Sequence, residues 1–449
     1  MSRLYTQLVS KIIFPLQERL KKHDTVRARR SLERSQWLSP EQIAAQQLAE
    51  LKTFLIDIGL HVPYYREAFA RIGFKPESLQ SLADLAQLPT LTKPLIRDHA
   101  EALKHEHAGP LGRSSTGGSS GTPLQFFISL ERVSHDVAAK WRATRWWDVD
   151  IGDREVVVWA SPIELHAQDR VRLFRDALMR STLLNAFAMN EKNLDHYVQR
   201  LREIRPAMVF GYPYSIALIS AHAKKRGVRL DDLGVKVVFV TSEYLHDHQR
   251  ELISEVFGCK VANGYGGRDA GFIAHECPEG GMHITAEDIV VELLGEDGQP
   301  VADGQPGEVT VTHLRTRDYP FLRYRTGDVA VRDTRRCACG RGLPLLREIQ
   351  GRTNDFLRAT DGTMLPCGAF TYLMRETEGI TNYKIIQETQ LLTRLEVVRP
   401  GGLDQATRQK LIDGLKFRLG REVEIQVELL DEIPAQGNGK YRYVVSKLQ

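Results

Sequence analysis

The chain is 449 residues long, 42% hydrophobic and 26% charged, which excludes a disordered or fibrous class and leaves room for one large domain and at least one more. Its 61 basic residues stand against 57 acidic ones, and a formal net charge of +4 argues against a nucleic-acid-binding surface and for a small-molecule partner. Five cysteines without a signal-peptide pattern point to a reducing, cytoplasmic compartment, with metal or packing roles rather than a disulfide framework.

In chain order, the first predicted element is helical. "LYTQLVSKIIFPLQERLKKHD" repeats Leu4, Leu8, Ile12, Leu16 and Leu20 at helical spacing beside several lysines and arginines. No run in the chain approaches the roughly 20 apolar residues of a membrane span. The favoured reading docks this stripe on the protein's own body, with Pro15 kinking it; a helix lying on a membrane surface is the alternative. Next, "SPEQIAAQQLAELKTFLIDIG" (39–59) opens with Ser39 as N-cap, Pro40 in the first turn and Gln42 closing a capping box, and Gly59 is expected to stop it.

A loop rich in glycine and hydroxyl side chains follows, "RSSTGGSSGTPLQFF" (113–127). Such a run lets backbone N–H groups approach a phosphate closely, but the lysine of a Walker loop is missing. Beyond it "EVVVWA", "AMVFGYP", "VKVVFVTSE" and "KVANGYGG" read as buried strands, with the helical "KNLDHYVQRLREI" and "HDHQRELISEVFG" between them. This alternation predicts a parallel sheet covered on both faces. From about residue 283, "DIVVELL" and "GEVTVTHL" predict a meander or a small barrel. After "GRTND" (351–355) a small α+β lobe is expected, with strands in "RLEVVRP" and "EVEIQVELL" around the helix "DQATRQKLIDGLKFRLG". The predicted fold class is α/β: a large N-terminal domain of mostly parallel sheet covered by helices plus a β-barrel-like region, and a small C-terminal lobe.

Downstream of the loop lie, in order, "TSEYL" (241–245), "GYGGRDAG" (264–271), "YRTGD" (324–328), "GRTND" (351–355) and "GNGKYR" (437–442). This ordered set resembles the adenylate-forming acyl-CoA ligase superfamily, and within it the compact phenylacetate-CoA ligase branch that includes the CapK proteins. The resemblance implies three parts: a domain over residues 1–350 for nucleotide and substrate, a hinge at 351–355, and a mobile lobe over 356–449. It implies that ATP and Mg²⁺ activate a carboxylic acid, by the family's habit an aryl one, to an acyl-adenylate with release of pyrophosphate, and that coenzyme A takes the acyl group. An amine acceptor in surface-polysaccharide synthesis is the alternative, and an inactive nucleotide-binding homologue a third reading. A homodimer stays open.

Carried over residue by residue, Ser115, Thr116, Gly117, Gly118, Ser119, Ser120, Gly121 and Thr122 match the phosphate loop. Asp328 matches the ribose-binding aspartate and Arg352 the arginine that meets the nucleotide near the hinge. Gly264, Tyr265 and Gly266 would flank adenine and substrate. Glu243 would sit near the nucleotide and the acyl pocket, and Tyr212 near that pocket, although Tyr212 reads nearly as well as a core aromatic. Lys440 matches the lysine that the mobile lobe presents for adenylation, with a solvated turn lysine as its plainer reading. Two positions depart from the pattern: Asp269 stands where a Mg²⁺-holding glutamate is usual, and Asn354 where the hinge is commonly aspartate.

Finally, Cys277, His283, Cys337 and Cys339 could close a tetrahedral structural zinc site, three thiolates and an imidazole, between the segments after "GYGGRDAG" and after "YRTGD". Some members of the branch resemble that arrangement. His275 is a substitute ligand in this reading, and Cys259 and Cys367 are packing residues.

Overall fold

The computed structural model describes residues 2–116, 124–159, 170–186, 191–352, 356–361, 364–366, 370, 373–374, 377–433 and 442–448. They fall into two compact units, Met1–Thr326 with Val331–Arg347, and Gly327–Ala330 with Glu348–Gln449.

In the first unit, β1 (Leu111–Ser115) and β2 (Gln125–Ser129), the strands before and after the glycine-rich stretch of the sequence, pair antiparallel. The strands β3 (Glu155–Trp159), β5 (Met208–Gly211) and β6 (Val237–Thr241) pair in parallel, flanked by β4 (Ser181–Asn185) on one side and β7 (Lys260–Gly267) on the other. Both faces are covered, so every residue of β5 and β6 is buried. Helices Glu191–Ile204, Pro213–Lys225 and Asp247–Phe257 alternate with these strands, and Leu201, Ile216, Ile253 and Phe257 pack on Val156, Val209 and Val238.

At β7 the direction changes. β8 (Gly271–Glu276), β9 (Met282–Ile284) and β13 (Leu345–Arg352) follow in antiparallel pairing, then β12 (Tyr324–Asp333), β11 (Pro306–His313) and β10 (Ile289–Leu294). The segment expected to form a meander or a small barrel takes the first form and prolongs the same sheet to eleven strands, in the order β10-β11-β12-β13-β9-β8-β7-β6-β5-β3-β4. The physical reason is that β9 offers its free edge to β13, so the later strands add laterally instead of curling onto themselves.

Two expectations about helices are corrected. The capped helix runs from Pro40 to His61, with the Ser39–Gln42 capping box in place, and passes through Gly59. A Cβ there would come within 3.0 Å of the Phe69 ring, so Gly59 serves close packing and Pro63 starts the next helix. The leucine stripe of the first helical rod does not dock: Leu4, Leu8, Ile12, Leu16 and Leu20 are all exposed, and the rod rests on Thr6, Val9, Ser10, Phe14 and Glu18 instead. A π-helical stretch, Val9–Ile13, precedes Pro15, whose ring and missing N–H disturb the hydrogen-bond ladder there.

The second unit carries a four-stranded sheet, β18 (Glu424–Leu429), β17 (Leu392–Val398), β16 (Asn382–Thr389) and β19 (Val444–Ser446), and a hairpin of β14 (Phe356–Arg358) with β15 (Met364–Pro366). Helix Gln405–Leu419, capped by Asp404, buries Leu411, Leu415 and Leu419 against Ile385, Leu395 and Val397.

Candidate active site

The base of the glycine-rich loop is pinned by one residue. Thr116 donates its N–H to the Leu124 carbonyl at 3.0 Å, and its Oγ1 accepts from Leu124 N at 2.9 Å. Gly117, Gly118, Ser119, Ser120, Gly121 and Thr122 lie outside the described residues, while Ser115 ends β1.

The turn from β7 into β8 is built for close approach. A Cβ on Gly266 would stand 2.2 Å from the Gly271 carbonyl, and Gly271 itself has φ +84°, so only glycine fits either position. Between them Asp269 is aimed by its neighbours. Tyr324, from the "YRTGD" strand, donates its hydroxyl to Asp269 Oδ2 at 2.6 Å. Arg132, 1% exposed on helix Leu130–Arg145, donates to the carbonyls of Arg268 and Asp269, each at 3.3 Å, and to Asp136 at 2.8 Å.

Beside this turn opens a cavity of about 420 Å³. Trp159, Phe210 and Phe272 give it aromatic walls, Gly266 and Gly267 a backbone rim, and Lys140, Asp136, Arg175, Asp176 and Arg268 its charges. The Lys140 ammonium lies 3.8 Å from the Phe210 ring centre and 3.6 Å from Glu155. Ser242, also on the wall, holds φ +72°, a conformation that costs a non-glycine residue energy and recurs at functional sites. Burial raises the Asp136 carboxyl, and Arg132 with His313 more than offset it, leaving it below the usual range. His313 is driven down to about 4 by burial, with Arg132 adding to the effect.

The four cysteine and histidine residues converge. Their ligand atoms all lie within 4.8 Å of one another, with Cys277 Sγ 3.6 Å from Cys337 Sγ and Cys339 Sγ 3.2 Å from His283 Nε2. Tetrahedral Zn²⁺ with ordinary bond lengths sets such atoms about 3.5 to 3.8 Å apart. Two tight turns carry the thiols: Gly280 N donates to the Cys277 carbonyl and Gly340 N to the Cys337 carbonyl, and both glycines have φ +80°. Burial pushes the Cys277 thiol up to about 12 and the His283 imidazole down to about 4. A neutral imidazole is a metal donor as it stands, and a dication would favour the thiolate that burial disfavours. The donor set fits zinc. Arg341, stacked on Trp37 and Trp146, ties this region to Gln36.

Comparison with known proteins places the geometry. A family model described as the CapK C-terminal domain matches residues 357–447. Phenylacetate-coenzyme A ligase of Thermus thermophilus is 26% identical over 408 residues, covering 86% of this chain and 85% of that one. CapK of Staphylococcus aureus is 23% identical over 398 residues, covering 86% and 85%. These likenesses run to the adenylate-forming branch that holds the phenylacetate-CoA ligases and CapK. A crystal structure of 2-hydroxyisobutyryl-CoA ligase in the postadenylation state, with R3-HIB-AMP, superposes with a TM-score of 0.74 over 91% of this chain and 90% of that one; at 20% identity this shows the common fold.

Within that branch's frame, the residues expected at the site are distributed as follows. Gly264, Tyr265 and Gly266 lie on β7 and Asp269 in the turn after it, with Gly266 lining the cavity. Tyr212 is 2% exposed and stacks on the cavity wall at Trp159, ring centres 4.3 Å apart, so it is a core aromatic behind that wall. Glu243 accepts a hydrogen bond from Tyr214 N at 3.3 Å, at the start of helix Pro213–Lys225. Asp328 is half-buried on β12, among the residues that belong to the second unit. Arg352 ends β13; Asn354 and Lys440, like Cys367, lie outside the described residues. His275 is no member of the cysteine cluster: it is fully buried, stacked on Phe272, and driven down to about 3 by burial. Tyr324, Arg132, Asp136 and Lys140 join the site from the structure. The signal of Arg132, Asp136 and Lys140 in the sequence was a charged stripe at i, i+4, i+8 on one helix, a pattern that ordinarily marks a solvated face, while Tyr324 opens the "YRTGD" motif.

Proposed function

We propose that this protein is an AMP-forming carboxylate ligase that activates an acid with ATP and passes the acyl group to coenzyme A. The observation that carries the reading is the meeting of two distant motifs: Asp269 of "GYGGRDAG" accepts from Tyr324 of "YRTGD" at the rim of an aromatic cavity. The likeness to phenylacetate-CoA ligases along most of the chain supports the same chemistry. When bound, Mg²⁺ would neutralise charge on the phosphates, and the Asp269 carboxylate is an oxygen donor of the kind that ion requires. The amides of residues 116–122 would cradle the phosphates, Asp328 the ribose and Arg352 the nucleotide near the hinge. Lys440 would serve adenylation, brought in by a turn of the small unit near Asn354.

The aromatic walls of the cavity support a small aryl acid as the substrate. Four bound groups close the zinc coordination, so the metal would brace structure and carry no chemistry.

The test is incubation with ATP, Mg²⁺ and a panel of aryl acids, with and without coenzyme A. Acid-dependent pyrophosphate and AMP, with coenzyme A consumed, are expected; ADP as the only nucleotide product overturns the reading. An acyl-adenylate trapped by hydroxylamine with no thioester formed would shift the acceptor to an amine.

A further inference from the structure

The first helical rod, Ser2–Leu20, turns its apolar stripe outward. Leu4, Leu8, Ile12, Leu16 and Leu20 are 73, 43, 59, 58 and 77% exposed. In a regular α-helix a four-residue repeat drifts round the axis, because the turn is shorter than four residues. The wider turn of the π-helical stretch Val9–Ile13 counters that drift at mid-length and keeps the five side chains closer to one line.

The opposite face is firmly seated. Val9 is fully buried against Gly152, where an added Cβ would come within 2.5 Å of it, and Phe14 meets Trp141 edge-on at 5.1 Å. Thr6 donates its hydroxyl to Asp153 at 2.7 Å, and buried Glu18 accepts from Thr25 at 2.6 Å. A rod held this way cannot roll its leucines inward. Tyr5, whose hydroxyl donates to the Leu178 carbonyl at 2.9 Å, joins it to helix Arg170–Met179, which exposes Leu173 and Phe174.

The charges beside the stripe have one sign. Arg3, Lys11, Arg19, Lys21 and Lys22 are exposed, and Glu18, the one carboxylate between residues 2 and 22, is buried. We infer that this face is a docking surface for an anionic lipid bilayer, the rod lying in the headgroup plane with its leucines among the acyl chains. Lys21 also reaches Glu18 at 3.4 Å, and a second copy would still set cations against cations. A bilayer bearing acidic headgroups matches the apolar stripe and the flanking charge together. No helix among the described residues is long and apolar enough to cross a membrane, so the contact lies on the surface. The inference stands independently of the catalytic reading.

The experiment is co-sedimentation of the full chain with phosphatidylcholine vesicles containing about one-third phosphatidylserine. Binding is expected, weaker to pure phosphatidylcholine and weaker in high salt. The triple variant Leu8→Glu, Ile12→Glu, Leu16→Glu should lose at least about 10-fold in partition, since five exposed aliphatic side chains supply the apolar contact. Its melting temperature should stay unchanged, because all three positions face solvent. Lys11→Glu with Arg19→Glu should abolish the preference for the acidic lipid. Failure of the unmodified chain to bind either vesicle overturns the inference. So does binding that the triple variant leaves intact. A dimer in solution that the triple variant dissolves, without vesicle binding, assigns the face to a second copy instead.

Discussion

Removing the Tyr324 hydroxyl takes away the 2.6 Å hydrogen bond that aims Asp269. A hydrogen bond to a charged group contributes about 1.5 to 3 kcal/mol, so Tyr324→Phe should slow pyrophosphate release roughly 10- to 100-fold. The ring stays, so packing is preserved. The Mg²⁺ concentration for half-maximal rate should rise with it, which a merely structural role would not cause; an unchanged Mg²⁺ requirement sinks the assignment. A buried histidine and a half-buried one make a prediction of opposite signs. His313, pushed down to about 4 by burial, refuses a proton that the unfolded chain takes up below about 6.5, so stability should fall as pH drops from 6.5 towards 4. For His135, burial pushes the value down and Asp288 at 2.9 Å more than reverses it, raising it above the usual histidine value. Its contribution is present in full below about 6.5 and is lost as pH rises through the folded value. Urea unfolding across pH should show His313→Asn flattening the acid limb and His135→Gln the alkaline one; an acid limb that His313→Asn leaves unchanged refutes the first half.

At the scale of elements, periodicity and capping made much of the frame legible. The parallel strands β3, β5, β6 and β7 stand where the sequence predicts buried strands, and β5 and β6, covered on both faces, are buried at every residue. What the pattern could not tell was which side of a helix faces inward. The leucine stripe is the most apolar line on its rod, yet Val9 and Phe14 on another line are what the body receives. The converse holds for helix Leu130–Arg145, whose charged line turns inward because Arg132 finds Asp136 and two carbonyls to satisfy it. β4 was missed because "STLLN" is short and only Leu184 of it is buried. The cysteine and histidine cluster was legible by type, and the turn at Gly340 lets the C-x-C pair bring both thiols into it. Purified chain should carry about one zinc per molecule by elemental analysis. Replacing Cys337 and Cys339 by serine should remove it and lower the melting temperature by several degrees. Metal-free protein that takes up no supplied zinc would return these residues to ordinary packing.

At the scale of the whole molecule, two compact units make a division of labour testable. The cavity, the Asp269 turn and the cysteine cluster belong to the first unit, and residue 440 to the span of the second. If the small unit presents Lys440 for the first half-reaction only, the two half-reactions must respond differently to its loss. An ammonium close to the carboxylate and the α-phosphate stabilises charge during adenylation and holds the acid in line. Lys440→Ala should therefore slow adenylation on the order of 100-fold or more, the scale of losing one aimed charge-stabilising donor. The thiol step should be nearly untouched, since a unit turned away no longer presents that side chain. Supplying synthetic acyl-adenylate with coenzyme A to the variant bypasses the first step and reads the second alone. Equal losses in both would mean that Lys440 supports the fold or both reactions, and the alternating arrangement would be wrong. No loss in either would leave Lys440 as a solvated turn residue and move the search for the adenylation cation to Arg268, which lines the cavity in the first unit.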